Sequence, residues 1–156
     1  MFPGMNNAPG HRALRAGRWS QPGGVYLITF VVESRRPVFR DFHLACAACR
    51  TFSASANNES ASLLAWVLMP DHFHGLIRLD GDKPLSRAVQ RLKSMSSKAC
   101  HAWQPDRTLW ARAFHDHALR KNEDLQHAAR YIIANPVRAG LVDDIHQYPF
   151  WNTTWL

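Results

Sequence analysis

The run Leu68-Met69-Pro70-Asp71-His72-Phe73-His74-Gly75-Leu76-Ile77-Arg78-Leu79 sets two histidines one residue apart inside a segment with the composition of a buried β-strand. Side chains at i and i+2 of a strand leave the same face of a sheet. His72 and His74 therefore share one face, close enough to share a metal ion. Phe73, Ile77 and Leu79 leave the other face, where a hydrophobic core takes them. A chain with this pattern must build a sheet with one packed face and one face that carries chemistry.

The rest of the chain supplies such a sheet. Residues 25–32 are β-branched and aromatic and read as a strand. Residues 39–52 read as a helix, with Phe42, Ala45, Cys46, Cys49 and Phe52 on one stripe. A polar loop covers 53–60, and strands follow at 63–69 and 72–79. After the turn at 80–83, Pro84 opens a helix over about 84–103 whose apolar stripe is Leu85, Val89, Leu92, Ala99 and Trp103. Residues 109–119 read as a fourth strand. Asn122 is a plausible N-cap, followed by acidic Glu123 and Asp124, and a last helix runs to about 135–138. The aromatic tail, 141–156, is expected to pack back onto the domain. The order β-α-β-β-α-β-α predicts an α+β fold, the ferredoxin-like split β-α-β arrangement. It has an antiparallel sheet, helices on one face, and an additional C-terminal helix. Residues 17–156 form one domain and residues 1–16 a disordered arm.

Lys and Arg number 19 against 12 Asp and Glu, a formal charge of +7. That excess suits a polyanion, either nucleic acid or an anionic membrane surface. Arg12 and Arg15 in the arm and Arg18 just beyond it make the N-terminal stretch basic. Arg87, Arg91, Ser94 and Lys98 recur at helical spacing on 84–103, either as a solvated face or as phosphate contacts. No run reaches the 18 apolar residues of a membrane span, and the N-terminus has no apolar signal-peptide segment. Three cysteines cannot all pair within the chain, which fits a reducing compartment such as the cytoplasm.

Two histidines do not complete a catalytic metal site. On the last helix Leu125, Ala129, Ile132, Ile133 and Val137 gather on one side. Tyr131 lies roughly opposite, with Asn135 one turn later. A tyrosine on the polar side of an amphipathic helix is either an edge residue making one hydrogen bond or a nucleophile. A phenol beside a divalent ion on a basic protein can attack a phosphodiester and form a covalent phosphotyrosine. Asn135 could give its carboxamide oxygen to the same ion, for which Mn²⁺ or Mg²⁺ is the match.

These residues resemble the HUH single-strand endonucleases. Within them the chain is similar to the IS200-like single-tyrosine transposases, and among those to the REP-associated tyrosine transposases. Three segments carry the likeness: residues 17–29 (GRWSQPGGVYLIT), 66–75 (WVLMPDHFHG) and 130–142 (RYIIANPVRAGLV). With the strand at 109–120 they span nearly the whole domain. The resemblance implies metal-dependent cleavage and rejoining of single-stranded DNA through a 5′-phosphotyrosine, without ATP, in a bacterial cytoplasm. It implies His72 and His74 as metal ligands, Tyr131 as nucleophile and, less firmly, Asn135 as a further ligand. It implies recognition of REP-like hairpins, with Arg18 and the arm reading sequence beside the hairpin foot. It allows either a monomer or a homodimer. Asp71 stands where such proteins often have Asn, and no role is assigned to it.

Other features admit two readings each. Cys46 and Cys49 have the spacing of a zinc or redox pair but sit in an apolar helix. His115 and His117 share a strand face and could be a second metal pair, DNA contacts or satisfied strand-end residues. Trp19, Trp103 and Trp110 could stack on bases or pack. Two rival functions remain open. One is a non-catalytic single-stranded nucleic-acid-binding module on the same kind of sheet. The other is a metal-dependent hydrolase with Tyr131 as a bystander.

Overall fold

The computed structural model describes residues 20–55, 57–58, 60–120 and 123–155. Its strands are β1 (Val25–Val31), β2 (Asn57–Asn58), β3 (Ala61–Met69), β4 (His72–Leu79), β5 (His115–Ala118) and β6 (Trp151–Thr153). The helices are α1 (Phe42–Ala54), α2 (Leu85–Cys100), α3 (Leu125–Ile133) and α4 (Asn135–Arg138). Strand order is β2-β3-β4-β1-β5, all antiparallel, with β6 paired to β3 beside β2. The central β3-β4-β1-β5 is the split β-α-β order. β1 and β3 are joined through α1, and β4 lies between them.

Alternation along the strands divides the sheet into two packed faces. Ile28, Phe30, Phe73, Ile77 and Leu79 enter one core cluster with Leu44 and Phe52 of α1 and Val89 and Leu92 of α2. Ala65, Val67 and Met69 of β3 and Leu76 of β4 enter a second with Ala129 and Ile132 of α3. So α1 and α2 cover one face, and α3 covers part of the other. Phe73 anchors β4 to the first core, with its ring centroid 4.6 Å from those of both Phe30 and Phe52. Gly75 exists because of this ring. A Cβ there would stand 2.7 Å from Phe73 Cε1 and 3.2 Å from Leu63 Cδ1. Neither neighbour can retreat within a packed core. Gly75→Ala is expected to lower stability by about 1–3 kcal/mol, read as a fall in urea midpoint at constant m-value. An unchanged midpoint would mean that β4 has more room than this packing allows.

Several elements differ from the sequence expectation. The first helix starts at Phe42, not 39, because Asp41 caps it by accepting from the N–H groups of His43 and Leu44. Its buried face is Leu44, Ala45, Ala47, Ala48 and Phe52, while Phe42 is 61% exposed. α2 ends at Cys100, which leaves Trp103 exposed. The expected strand 109–119 meets the sheet in two pieces: Trp110 bridges Val32 just beyond β1, and 115–118 form β5. The stretch from Trp110 to Ala113 is also tied to α2. Lys93 Nζ donates to the carbonyls of Ala111 and Ala113 at 2.8 and 2.9 Å, and Trp110 Nε1 donates to Ser96 Oγ at 2.8 Å. Asp124 caps α3; Asn122 lies outside the described residues.

The last helix is broken. Pro136 has no N–H to give and crowds the residue before it, so α3 stops at Ile133 and α4 begins at Asn135. Val137, expected on the apolar side, is turned outward in consequence. The tail does pack back. β6 adds to the edge of β3, and Tyr148 donates its hydroxyl to the Leu68 carbonyl at 2.7 Å.

Candidate active site

The two-residue turn Pro70-Asp71 joins β3 to β4 and sets His72 opposite Met69. On the other side His72 faces Val31, and His74 faces Thr29. Both histidines thus lie on the α3 side of the sheet, as period-2 alternation requires. Their rings meet edge to face, with Nε2 atoms 3.1 Å apart. Each remaining ring nitrogen has its own partner. His72 Nδ1 is 2.6 Å from Asp71 Oδ1, and His74 Nδ1 is 2.7 Å from Thr29 Oγ1. Asp71 is held in turn by Arg35, 3.3 Å from its Oδ2. Arg35 and its neighbour Ser34 occupy left-handed backbone, at φ 54° and 58°. Non-glycine residues pay on the order of 1–3 kcal/mol for such conformations, which cluster at functional sites.

The charges around the pair are ordered. Partial burial opposes ionisation of Asp71, but the bonds and charge of His72 and Arg35 outweigh it and hold the carboxyl below its ordinary value. Burial pushes His74 down to about 4, aided by the positive charges of His72, Arg138 and Arg35. His74 is therefore neutral near pH 7, the form in which an imidazole has a lone pair for a metal. Two nitrogens each about 2.1 Å from a common ion, at right angles, stand about 3 Å apart. The histidine pair fits that spacing. A partner on each Nδ1 is also how ligating histidines are normally oriented. Among the described residues no group of three or more His, Cys, Asp or Glu side chains gathers for a metal, so further ligands would come from other donors.

Tyr131 stands on α3 with Ala129, Ile132 and Ile133 buried behind it, and is itself 53% exposed. α3 packs on β3 and β4, the hairpin that carries the histidines. The guanidinium carbon of Arg138 lies 4.0 Å from the Tyr131 ring centroid. A guanidinium N–H of Arg138 also donates to Asn135 Oδ1 at 2.8 Å. Asn135 Oδ1 is thus engaged by Arg138. Sequence reasoning missed Thr29, Asp71, Arg35 and Arg138. Asp71 adjoins His72, and Arg138 is seven residues, two helical turns, beyond Tyr131. Thr29 and Arg35 had no local signal.

The expected DNA contacts divide. Arg87 and Arg91 line one open hollow with Lys83. Lys98 lines another with His101, Arg107 and Arg112. Both hollows flank α2, across the sheet from the histidines. Arg12, Arg15, Arg18 and Trp19 lie outside the described residues. His115 is in register with Thr29 and His117 with Leu27, which puts them on the same face as His74, two strands away. Cys46 and Cys49 are half-buried free thiols, and burial pushes Cys49 up to about 12, beyond ordinary redox reactivity.

A sequence model described as "Transposase IS200 like" matches residues 21–135. The chain belongs to the IS200-like transposase family. This family member is 33% identical over 87 residues to the REP-associated tyrosine transposase of Escherichia coli (strain K12), across 55% of this chain and 50% of that protein. The chain thus spans only half the length of that relative. It is 25% identical over 144 residues to a putative REP-associated tyrosine transposase of Haemophilus influenzae (strain ATCC 51907 / DSM 11121 / KW20 / Rd), across 82% of this chain and 78% of that one. Its fold matches the structure of a REP-associated tyrosine transposase bound to a REP hairpin, with TM-score 0.67 and 27% identity, over 86% of this chain and 79% of that one. The ferredoxin-like order expected from sequence is therefore the transposase fold. Among the described residues no helix of this IS200-like transposase is long and apolar enough to cross a membrane.

Proposed function

We propose that this IS200-like transposase cleaves and rejoins single-stranded DNA at hairpin-forming repeats, through a 5′-phosphotyrosine on Tyr131. The observation that carries the reading is the placement of a convergent histidine pair on one face of the β3–β4 hairpin and of an exposed tyrosine on the helix packed against that face. Tyr131 Oη bonds to phosphorus, the P–O3′ bond breaks, and the ribose oxygen takes a proton and leaves as a 3′-OH. Attack by a 3′-OH on the phosphotyrosine reverses the step, so the strand is rejoined without ATP. His72 and His74 would hold one divalent ion, Mg²⁺ or Mn²⁺, through Nε2. Such an ion supplies Lewis-acid withdrawal of charge from the phosphate. Asn135 Oδ1 has two lone pairs, so its bond to Arg138 leaves one for the ion. Arg87, Arg91 and Lys98 would contact phosphates on the α2 side, and Arg12, Arg15 and Arg18 would reach the hairpin foot. A bound strand would then pass round the sheet edge to reach Tyr131.

The test is incubation with a labelled single-stranded hairpin and Mn²⁺, with and without EDTA, followed by SDS electrophoresis. A metal-dependent shifted adduct is expected. Cleavage without adduct would make the protein a hydrolase, and binding without cleavage would make it a binding module. Asp71 is expected to matter before any DNA is added. Asp71→Ala removes the acceptor that orients His72, and should weaken Mn²⁺ binding by about 10–100-fold, measured by calorimetric titration of the DNA-free protein. Equal affinity in the variant would show that Asp71 serves only Arg35.

A further inference from the structure

Arg138 does more in this structure than end a short helix. Its guanidinium carbon lies over the Tyr131 ring, 4.0 Å from the centroid. One of its nitrogens is fixed by Asn135 Oδ1 at 2.8 Å. Buried Pro136 anchors the four-residue helix that carries it. Arg35, which reaches the histidine pair through Asp71, is already committed to that carboxylate. Among the described residues Arg138 has no carboxylate partner, and its bond to Asn135 is to a neutral amide through one nitrogen. A guanidinium offers five N–H donors in a planar fork that suits phosphate oxygens, and can stack on an aromatic face while donating from its edge.

We propose that Arg138 is a catalytic residue of this site: it donates to a non-bridging oxygen of the phosphodiester that Tyr131 attacks, and its stacking sets the plane of the phenol for in-line approach. This rests on the reading of Tyr131 as a nucleophile. The scissile phosphate would then meet Arg138 in addition to any cation held by His72 and His74. Negative charge that builds on the phosphoryl oxygens during attack meets a donor already in position. The bond to Asn135 keeps the guanidinium in place before substrate arrives, so no side-chain reorganisation is needed at the moment of reaction.

The experiment measures the single-turnover rate of adduct formation on a labelled hairpin under saturating protein, with hairpin affinity measured separately. Arg138→Ala is expected to slow adduct formation about 10²–10³-fold while affinity changes by less than about threefold, as befits one phosphate contact among many. Arg50→Ala, which removes the same charge from the exposed side of α1, is expected to match the wild type. Added guanidinium ion should restore part of the Arg138→Ala rate and none of the rate of Tyr131→Phe. Should the alanine variant melt early, Arg138→Lys replaces it. That variant keeps the charge but loses the fork and the stack, and is expected to fall between the two. A wild-type rate in Arg138→Ala, a rate loss matched by lost affinity, or a loss that guanidinium cannot repair would overturn the assignment. Absence of any adduct from the wild-type protein would instead overturn the nucleophile itself.

Discussion

Tyr131→Phe is expected to abolish the SDS-stable DNA adduct and to cut strand cleavage by about 10⁴-fold or more, the usual scale for loss of a covalent nucleophile. The variant isolates chemistry from folding. Tyr131 is 53% exposed, so its hydroxyl holds no core together, and phenylalanine keeps the ring that Arg138 stacks upon. Hairpin affinity and melting temperature should therefore stay near wild-type values, and so should Mn²⁺ binding by the histidine pair. Gel electrophoresis of the labelled strand separates the outcomes. An adduct that persists in Tyr131→Phe would assign the nucleophile to another side chain. Cleavage at the wild-type rate with no adduct would assign it to water.

Phe73→Ala is the corresponding test of the scaffold. Phe73 is fully buried and packs against Phe30, Phe52 and Trp66. Its truncation is expected to cost about 3–5 kcal/mol, a large share of the 5–15 kcal/mol that holds a typical domain. Urea denaturation reads the loss directly. The effect should not stop at the core. Phe73 sits between the two histidines, and its ring is what presses β4 onto the helices and presents His72 and His74 on the opposite face. Mn²⁺ affinity is expected to fall with stability, and Phe73→Leu should recover most of both. A loss below about 1 kcal/mol would be too small for an aromatic removed from a close-packed cluster.

The parts of the fold that were legible from residue order are those set by local periodicity. Alternation placed His72 and His74 on one face and Phe73 on the other. The helical period turned Tyr131 away from Ala129 and Ile132. The element order indicated the split β-α-β sheet. The departures come from contacts that periodicity does not record, some local, such as the Asp41 cap, and some distant. Residues 109–119 have strand composition, yet pairing beside β1 is interrupted between Ala111 and His115, where Lys93 holds the carbonyls of Ala111 and Ala113. The stripe expected through Phe42 and Cys46 is not the buried one: Leu44, Ala45, Ala47, Ala48 and Phe52 are buried, while Phe42 is exposed.

The candidate site divides in the same way. Residue order alone determined that the two imidazoles leave the face opposite Phe73 and that the phenol points away from Ala129 and Ile132, because each is fixed by a period of two or about 3.6 residues within its own element. Only the tertiary structure decided what those groups meet. Thr29 reaches His74 across 45 residues, and Arg35 reaches Asp71 across 36. Those partners come from strand register and from a backbone turn in left-handed conformation. Neither leaves a trace in local spacing, since a hydrogen bond depends on where two distant segments are brought together and not on how far apart they lie along the chain.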